Sequence, residues 1–133
     1  MRRFFVYLLP ALLYAALIFY LSAQPGLPAV PVAGFDKIEH LGAYAVLGAL
    51  LARALMGYGV ARRRALVLAV LLGALYGVSD EVHQSFVPTR SADWRDVVAD
   101  LLGSSFGAGV YSIFALGRPR APSDSGTTSN DPL

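Results

Sequence analysis

The longest uncharged stretch of the chain is the feature that most restricts its fold. Phe4 to Leu21 is a run of eighteen residues without a charged side chain, interrupted only by Pro10. A helix of this length crosses the roughly 30 Å hydrocarbon core of a bilayer. A cleaved signal peptide is the alternative, because a basic leader precedes the run and small residues follow it. The run exceeds the usual apolar core of a signal peptide, which favours a retained transmembrane helix.

The composition supports a membrane protein and excludes several functional classes. Hydrophobic residues make up 56% of the chain, above the roughly 45–50% of soluble domains. The absence of cysteine excludes a disulfide framework, a thiolate metal site and a cysteine nucleophile. The net charge of +2 is small, and most arginines lie at the ends of apolar runs. We therefore expect no nucleic-acid partner, which would require a clustered basic face.

Hydropathy and helix-breaking residues together predict four transmembrane helices. The predicted spans are about 4–22, 38–57, 65–86 and 94–116. A segment rich in proline and glycine at 24–35 predicts a loop, and Pro88 predicts the end of the third helix. Residues 1–116 are thus expected to form one domain, an all-α integral membrane bundle. Residues 117–133, rich in proline, serine and glycine, are expected to be a disordered tail.

The distribution of basic residues predicts the orientation of this multi-pass bundle. One side would carry seven arginines, and the other side would carry three basic residues (Arg2, Arg3, Arg62, Arg63, Arg64, Arg118 and Arg120 against Lys37, Arg90 and Arg95). Because basic loops stay in the cytoplasm, both termini are expected to be cytoplasmic. The polar ends of the second, third and fourth helices would then face outward.

Polar residues recur at helical spacing on these three helices, which predicts a shared pocket. The residues are Lys37, His40 and Tyr44 on the second helix, Asp80 and Gln84 on the third, and Asp93, Asp96 and Asp100 on the fourth. A charged side chain that faces lipid costs about 2.5–3.5 kcal/mol. We therefore expect these residues to face one another across an outward-facing pocket, with Glu81 and Arg90 at its wall and rim.

The charges around the predicted pocket do not balance. Seven carboxylates stand against three cationic side chains (Asp36, Glu39, Asp80, Glu81, Asp93, Asp96 and Asp100 against Lys37, Arg90 and Arg95). Such an excess predicts proton uptake, a bound cation or a cationic ligand. A divalent metal held by His40 and carboxylates is one possibility. No known metal-binding spacing supports it, so the metal and any cofactor stay unassigned.

Two interpretations of these polar residues remain open, one functional and one structural. In the functional one, four residues form the catalytic group, with His40 or Asp80 as acid/base (His40, Asp80, Glu81 and Asp96). The remaining six bind substrate, with Lys37 and Arg90 holding an anionic group (Lys37, Tyr44, Gln84, Arg90, Asp93 and Asp100). In the structural interpretation, the carboxylates form ion pairs that fix helix register. The chain contains no Ser-His-Asp, P-loop or HExxH arrangement, so standard hydrolase and nucleotide-binding classes lack support.

Three linked motifs resemble those of the VanZ-like family of small bacterial membrane proteins. They are Asp36-Lys37-x-x-His40-x-x-x-Tyr44, then Asp80-Glu81-x-x-Gln84-x-Phe86-x-Pro88-x-Arg90, then Asp96 with Gly103 and Gly107. The sequence differs from the family pattern at Thr89, where glycine is usual, and at Asp100, where asparagine is usual. The resemblance implies a bacterial cytoplasmic membrane protein of the type that confers tolerance to the glycopeptide antibiotic teicoplanin.

The resemblance and the polar faces together predict a protein of the cell envelope. Its partners would be the lipid bilayer and an envelope component such as a lipid-linked cell-wall precursor or a lipid headgroup, which the pocket would bind or modify. Two alternatives stay open. One is a proton- or cation-coupled transporter that uses Asp80 and Asp100, and the other is a non-enzymatic accessory or scaffold protein.

Overall fold

The computed structural model describes residues 1–25 and 34–116, which are helical and contain no strand. A π-helical turn, Phe4–Leu8, leads into α1, Leu9–Ser22, and three longer helices follow: α2, Phe35–Gly57; α3, Arg62–Gln84; and α4, Trp94–Leu116. All four helical segments are long and apolar enough to cross a membrane. The predicted all-α membrane bundle is confirmed. The predicted tail at 117–133 and most of the predicted loop at 24–35 lie outside the described residues.

Two helices begin earlier than the sequence predicted. Helix α2 begins at Phe35 after Gly34, whose φ of +82° lies in the left-handed region, and no side chain caps the helix. Asp36 therefore lies within the first turn, where its negative charge interacts favourably with the helix dipole. Helix α3 begins at Arg62, so the arginine cluster forms its first turn instead of the preceding loop. It ends at Gln84, four residues before Pro88, which cannot continue a helix.

The π-helical turn in the first membrane segment has a local cause at Pro10. Proline has no N–H, so it cannot donate to the carbonyl of Val6, four residues earlier. Arg53 of α2 donates to this carbonyl oxygen from Nη1 at 2.6 Å, and its guanidinium lies 5.2 Å from the centroid of the Tyr7 ring. Arg53 thus satisfies a backbone acceptor and joins the first segment to α2.

Helices α2 and α4 approach each other so closely that their backbones touch. A Cβ atom added at Gly103 would overlap the Leu41 carbonyl oxygen, and one added at Gly107 would overlap that of Ala45. A Cβ atom at Gly48 would likewise overlap the backbone of Ser104. The contacts of Lys37 with Asp93, Leu41 with Gly103 and Ala45 with Gly107 rise together along both helices, so α2 and α4 run parallel. Small residues at the crossing allow this approach, as in many membrane helix pairs.

Helix α3 runs antiparallel to α4 and packs its small residues on polar side chains of α4. A Cβ atom at Gly73 would overlap the Ser104 hydroxyl, and one at Gly77 would overlap the Asp100 carboxylate. At the other end, Arg62 donates to the Ser112 hydroxyl at 3.1 Å. The polar ends of α2, α3 and α4 therefore meet at one end of the bundle.

The outer surface of the bundle is apolar. Leu75 and Phe106 are each 66% exposed, and Phe114 is 73% exposed. Side chains of this kind on a four-helix bundle suit a lipid environment, in which only helices and closed barrels satisfy their backbone groups. The fold is therefore that of a multi-pass membrane protein.

The turn between α3 and α4 contains a residue in an unusual backbone conformation. Thr89 has a φ of +71°, in the left-handed region that β-branched residues rarely adopt. The family resemblance predicts glycine at this position, and glycine adopts such a φ without steric cost. The threonine is therefore held in a strained conformation directly beside Arg90.

Candidate functional site

Four carboxylates lie buried where the polar ends of α2, α3 and α4 meet. Asp80 is 3% exposed, Glu81 5%, Asp96 6% and Asp100 0%. Burial of a carboxylate carries a large desolvation free energy unless the group is paired or hydrogen-bonded. The partners of each one therefore decide what this part of the protein can do.

A cavity of about 400 Å³ lies at this end of the bundle. Its polar wall comes from α2, α3 and the turn after α3 (Glu39, His40, Tyr44, Asp80, Gln84 and Arg90). Its other wall comes mainly from α1 (Tyr14, Ile18, Leu21 and Ser22). The volume is within the range of about 300–1,000 Å³ typical of small-molecule sites. One wall suits a polar group and the other suits an apolar chain.

The partly exposed His40 and the buried Asp100 form a pair between α2 and α4. The distance between His40 Nδ1 and Asp100 Oδ1 is 2.9 Å. A carboxylate in this position fixes the imidazole with Nδ1 as the donor, which leaves Nε2 to accept a proton or bind a metal. Tyr44, one turn further along α2, lies parallel to the imidazole, with 6.2 Å between ring centroids. The pair thus presents an oriented imidazole at the cavity wall.

Asp80 contributes a carboxylate oxygen to the cavity. Gln84, one turn later on α3, donates from Nε2 to Asp80 Oδ2 at 3.0 Å. Asp80 Oδ1 is buried without a partner among the described residues, and the Tyr44 hydroxyl is in the same state. Buried polar atoms rarely lack a hydrogen bond. These two atoms are therefore unsatisfied polar groups on residues that line the cavity.

Lys37 lies among three carboxylates and does not line the cavity. Its Nζ is 2.6 Å from Asp36 Oδ2, 3.0 Å from Asp93 Oδ2 and 2.9 Å from Asp96 Oδ1. These contacts connect the start of α2 to the start of α4. The residue predicted to hold an anionic ligand is thus surrounded by acidic side chains, while Arg90 is at the cavity wall.

Glu81 and Asp93 organise the start of α4. Glu81 Oε2 accepts a hydrogen bond from the Asp93 backbone N–H at 2.8 Å. Asp93 Oδ1 accepts one from the Arg95 backbone N–H at 2.9 Å, which is the geometry of a helix N-cap. This backbone hydrogen bond, together with Lys37, lowers the pKa of the Asp93 carboxyl. Asp93 therefore stays ionised as the cap of α4 at neutral pH.

Three of the predicted catalytic residues form a compact cluster with one member on each helix. One ligand atom each from His40, Glu81 and Asp96 lie within 4.8 Å of one another. Glu81 Oε1 is buried without a partner among the described residues. The predicted site residues thus divide into a cavity group and a cluster group, and His40 belongs to both.

Each predicted site residue can be assigned within this division. Five line the cavity (His40, Tyr44, Asp80, Gln84 and Arg90). The other five lie around Lys37 and behind His40 (Lys37, Glu81, Asp93, Asp96 and Asp100). The sequence did not indicate Tyr14 or Ser22 on α1, because the first apolar run has no polar face that would reveal which side packs inward. It also did not indicate Ser104, which is 0% exposed.

Comparisons with known proteins give one family and one relative. The sequence profile of the family described as VanZ/LLP1 matches residues 4–115. An uncharacterized protein of Schizosaccharomyces pombe, C11E3.10, is 37% identical over 79 residues, which are 59% of this chain and 47% of that protein. The chain therefore matches about half the length of this relative. No solved structure matches the chain.

Proposed function

Since the chain belongs to the VanZ/LLP1 family, we propose that its cavity binds a lipid-linked component of the cell envelope. The resemblance of the motifs to VanZ-like proteins extends this proposal to tolerance of glycopeptide antibiotics. The observation that carries it is the two-sided lining of the cavity, with apolar and aromatic side chains of α1 opposite polar side chains of α2 and α3.

The lining matches the chemistry of an amphiphile. Ile18 and Leu21 would contact the first part of a lipid chain. The Asp80 carboxylate would accept a hydrogen bond from the headgroup, and the Tyr44 hydroxyl would donate one to it. Arg90 would pair with a phosphate, for which guanidinium groups are well suited. A lipid-linked cell-wall precursor, or a phospholipid with its headgroup, has an apolar chain, hydrogen-bonding groups and a phosphate.

The orientation of the protein is part of the proposal. Arg62, Arg63 and Arg64 lie at the start of α3, at the opposite end of the bundle from the cavity. The positive-inside rule then places the cavity on the outer side of the bacterial cytoplasmic membrane, with both termini in the cytoplasm.

A cysteine introduced at Ala92 tests this orientation. Ala92 is exposed in the turn beside the cavity, and the chain has no other cysteine. We expect the Ala92→Cys protein to react with a membrane-impermeant maleimide in intact cells. A matched cysteine at Tyr58, at the opposite end, should react only after the membrane is opened. The reverse pattern would contradict the proposed orientation.

His40 is the residue through which the cavity would act in an enzymatic version of the function. Its Nε2 could take a proton from a hydroxyl or a water molecule, with Asp100 stabilising the imidazolium. In a purely binding version, the same nitrogen would accept a hydrogen bond from the headgroup. Both versions require an imidazole that is held in one orientation.

Substitution of His40 by asparagine tests the proposed function. Asparagine places an amide nitrogen near the position of Nδ1, so that donation to Asp100 is kept while Nε2 is lost. In a glycopeptide-sensitive host we expect the His40→Asn protein to reach wild-type levels in the membrane and to confer no teicoplanin tolerance. Ser105→Ala, at an exposed position on α4, is the control and should act as wild type. Full tolerance with His40→Asn would contradict the proposal.

A proton- or cation-coupled transporter is the second candidate. It is favoured by the buried Asp80 and Asp100, each with one carboxylate oxygen that has no partner among the described residues. Ionisable groups within membrane spans frequently mark ion pathways. Tolerance that persists in His40→Asn but is lost in Asp80→Asn would favour this candidate.

A further inference from the structure

The cluster of His40, Glu81 and Asp96 has the dimensions of a metal site. One ligand atom from each residue lies within 4.8 Å of the other two. Atoms that bind one divalent ion at about 2.0–2.4 Å are separated from one another by no more than about 4.8 Å. The three side chains come from α2, α3 and α4, so a single ion would join all three helices.

Glu81 provides an independent reason to expect a ligand. Its Oε2 is fixed by the Asp93 backbone N–H at 2.8 Å, whereas Oε1 is buried without a partner among the described residues. The residue as a whole is 5% exposed. An unsatisfied buried carboxylate oxygen carries a desolvation cost that a bound cation removes.

His40 has the kind of carboxylate partner that metal-binding histidines usually have. Its Nδ1 contacts Asp100 Oδ1 at 2.9 Å, and Asp100 is 0% exposed. A carboxylate that holds one imidazole nitrogen fixes the tautomer and makes the other nitrogen a better ligand. Asp100 would thus support the site from behind His40 without contacting the ion.

The local charge also favours a cation. Glu81, Asp96 and Asp100 lie together near His40. Among the described residues, the ammonium group paired with one of these carboxylates is that of Lys37, whose Nζ lies 2.9 Å from Asp96 Oδ1. Lys37 is shared with Asp36 and Asp93. A divalent ion would balance charge that this one ammonium group leaves unpaired.

We propose that His40, Glu81 and Asp96 bind one divalent transition-metal ion. One imidazole nitrogen with two carboxylates is a mixed donor set that suits ions such as Mn²⁺ or Zn²⁺ better than Ca²⁺. The site is assigned from its own contacts. With the ion bound, His40 Nε2 would be a ligand and would not also accept a proton or a hydrogen bond, so the ion itself would hold the headgroup; only this last idea rests on the proposed function.

The test is titration of the purified, chelator-treated full-length protein with Mn²⁺, followed by electron paramagnetic resonance, with Zn²⁺ as a competitor. We expect one Mn²⁺ per chain, displaced by Zn²⁺. Glu81→Gln should weaken binding at least tenfold. The Mn²⁺ spectrum of the wild-type protein should show coupling to a nitrogen nucleus, and His40→Asn should remove it. A histidine with only a structural role would give no such coupling.

Two control variants separate a site from general charge attraction. Glu39→Gln removes an exposed carboxylate next to His40 in the sequence, and it should leave the affinity unchanged. Lys37→Met should tighten binding, because Lys37 competes for Asp96. Equal weakening by Glu39→Gln and Glu81→Gln, or no stoichiometric binding, would overturn the metal site. Because no envelope ligand is present in this experiment, its failure would leave the proposed function to be judged by the tolerance assay.

Discussion

Replacement of Gly107 by alanine is expected to destabilise the folded protein strongly. The added Cβ would overlap the carbonyl oxygen of Ala45 on α2, and the next nearest atoms also belong to the Ala45 backbone. Backbone atoms cannot move aside as a flexible side chain can, so α2 and α4 must separate. Overpacking of this kind costs about 1–3 kcal/mol, and we expect the upper end of that range for the loss in free energy of unfolding.

Gly109 provides a matched control on the same helix. An added Cβ at Gly109 meets no atom within 4 Å, and alanine is favoured over glycine within a helix by about 1 kcal/mol. Gly109→Ala should therefore be neutral or stabilising, whereas Gly107→Ala should lower the thermal transition in detergent and the yield of monodisperse protein. Similar effects of the two substitutions would show that the close crossing of α2 and α4 does not support the fold.

Replacement of Asp100 by alanine is expected to have a large effect on function. Asp100 holds His40 at 2.9 Å, and its loss would leave the imidazole without the partner that fixes its orientation. Removal of a carboxylate that orients a metal-binding histidine commonly costs about 10–100-fold in metal affinity or activity, and the same dependence on orientation applies to a histidine that holds a headgroup. We expect at least a tenfold loss in the affinity for a short-chain polyprenyl diphosphate, measured with purified protein in nanodiscs.

Asparagine at the same position separates orientation from charge. The Asp100→Asn side chain still offers an oxygen to His40 Nδ1, and the motif resemblance places asparagine here in related proteins. We therefore expect Asp100→Asn to keep most of the ligand affinity and the folded protein level. If Asp100→Asn loses as much affinity as Asp100→Ala, the negative charge itself matters, and the orienting role would be wrong.

The sequence predicted which helix faces are polar, because helical periodicity alone determines them. His40 and Tyr44 on α2, and Asp80 and Gln84 on α3, lie on the inward faces expected from steps of three and four residues. The glycines of α4 were expected to allow close packing, and they contact the backbone of α2. These features depend on local spacing, which can be read from one chain.

The pairing of the polar side chains could not be predicted in the same way. Whether Lys37 faces a ligand or the carboxylates of α4 depends on the distance and rotation between two helices, and backbone contacts at Gly103 and Gly107 determine both. The contribution of α1 to the cavity was also hidden, because Tyr14 lies within, and Ser22 directly after, a run that is apolar on all sides. The helix start at Phe35 differed from the predicted start near residue 38 because Gly34, in a left-handed conformation, precedes the first turn.

Direct binding of a lipid-linked headgroup would test most sharply whether the cavity holds such a component. Purified protein in nanodiscs would be titrated with a short-chain polyprenyl diphosphate, and bound ligand would be counted by native mass spectrometry. We expect saturable binding of one ligand per chain, lost in His40→Asn and retained in Ser105→Ala. Absence of binding by the wild-type protein, or equal binding by His40→Asn, would contradict the proposal.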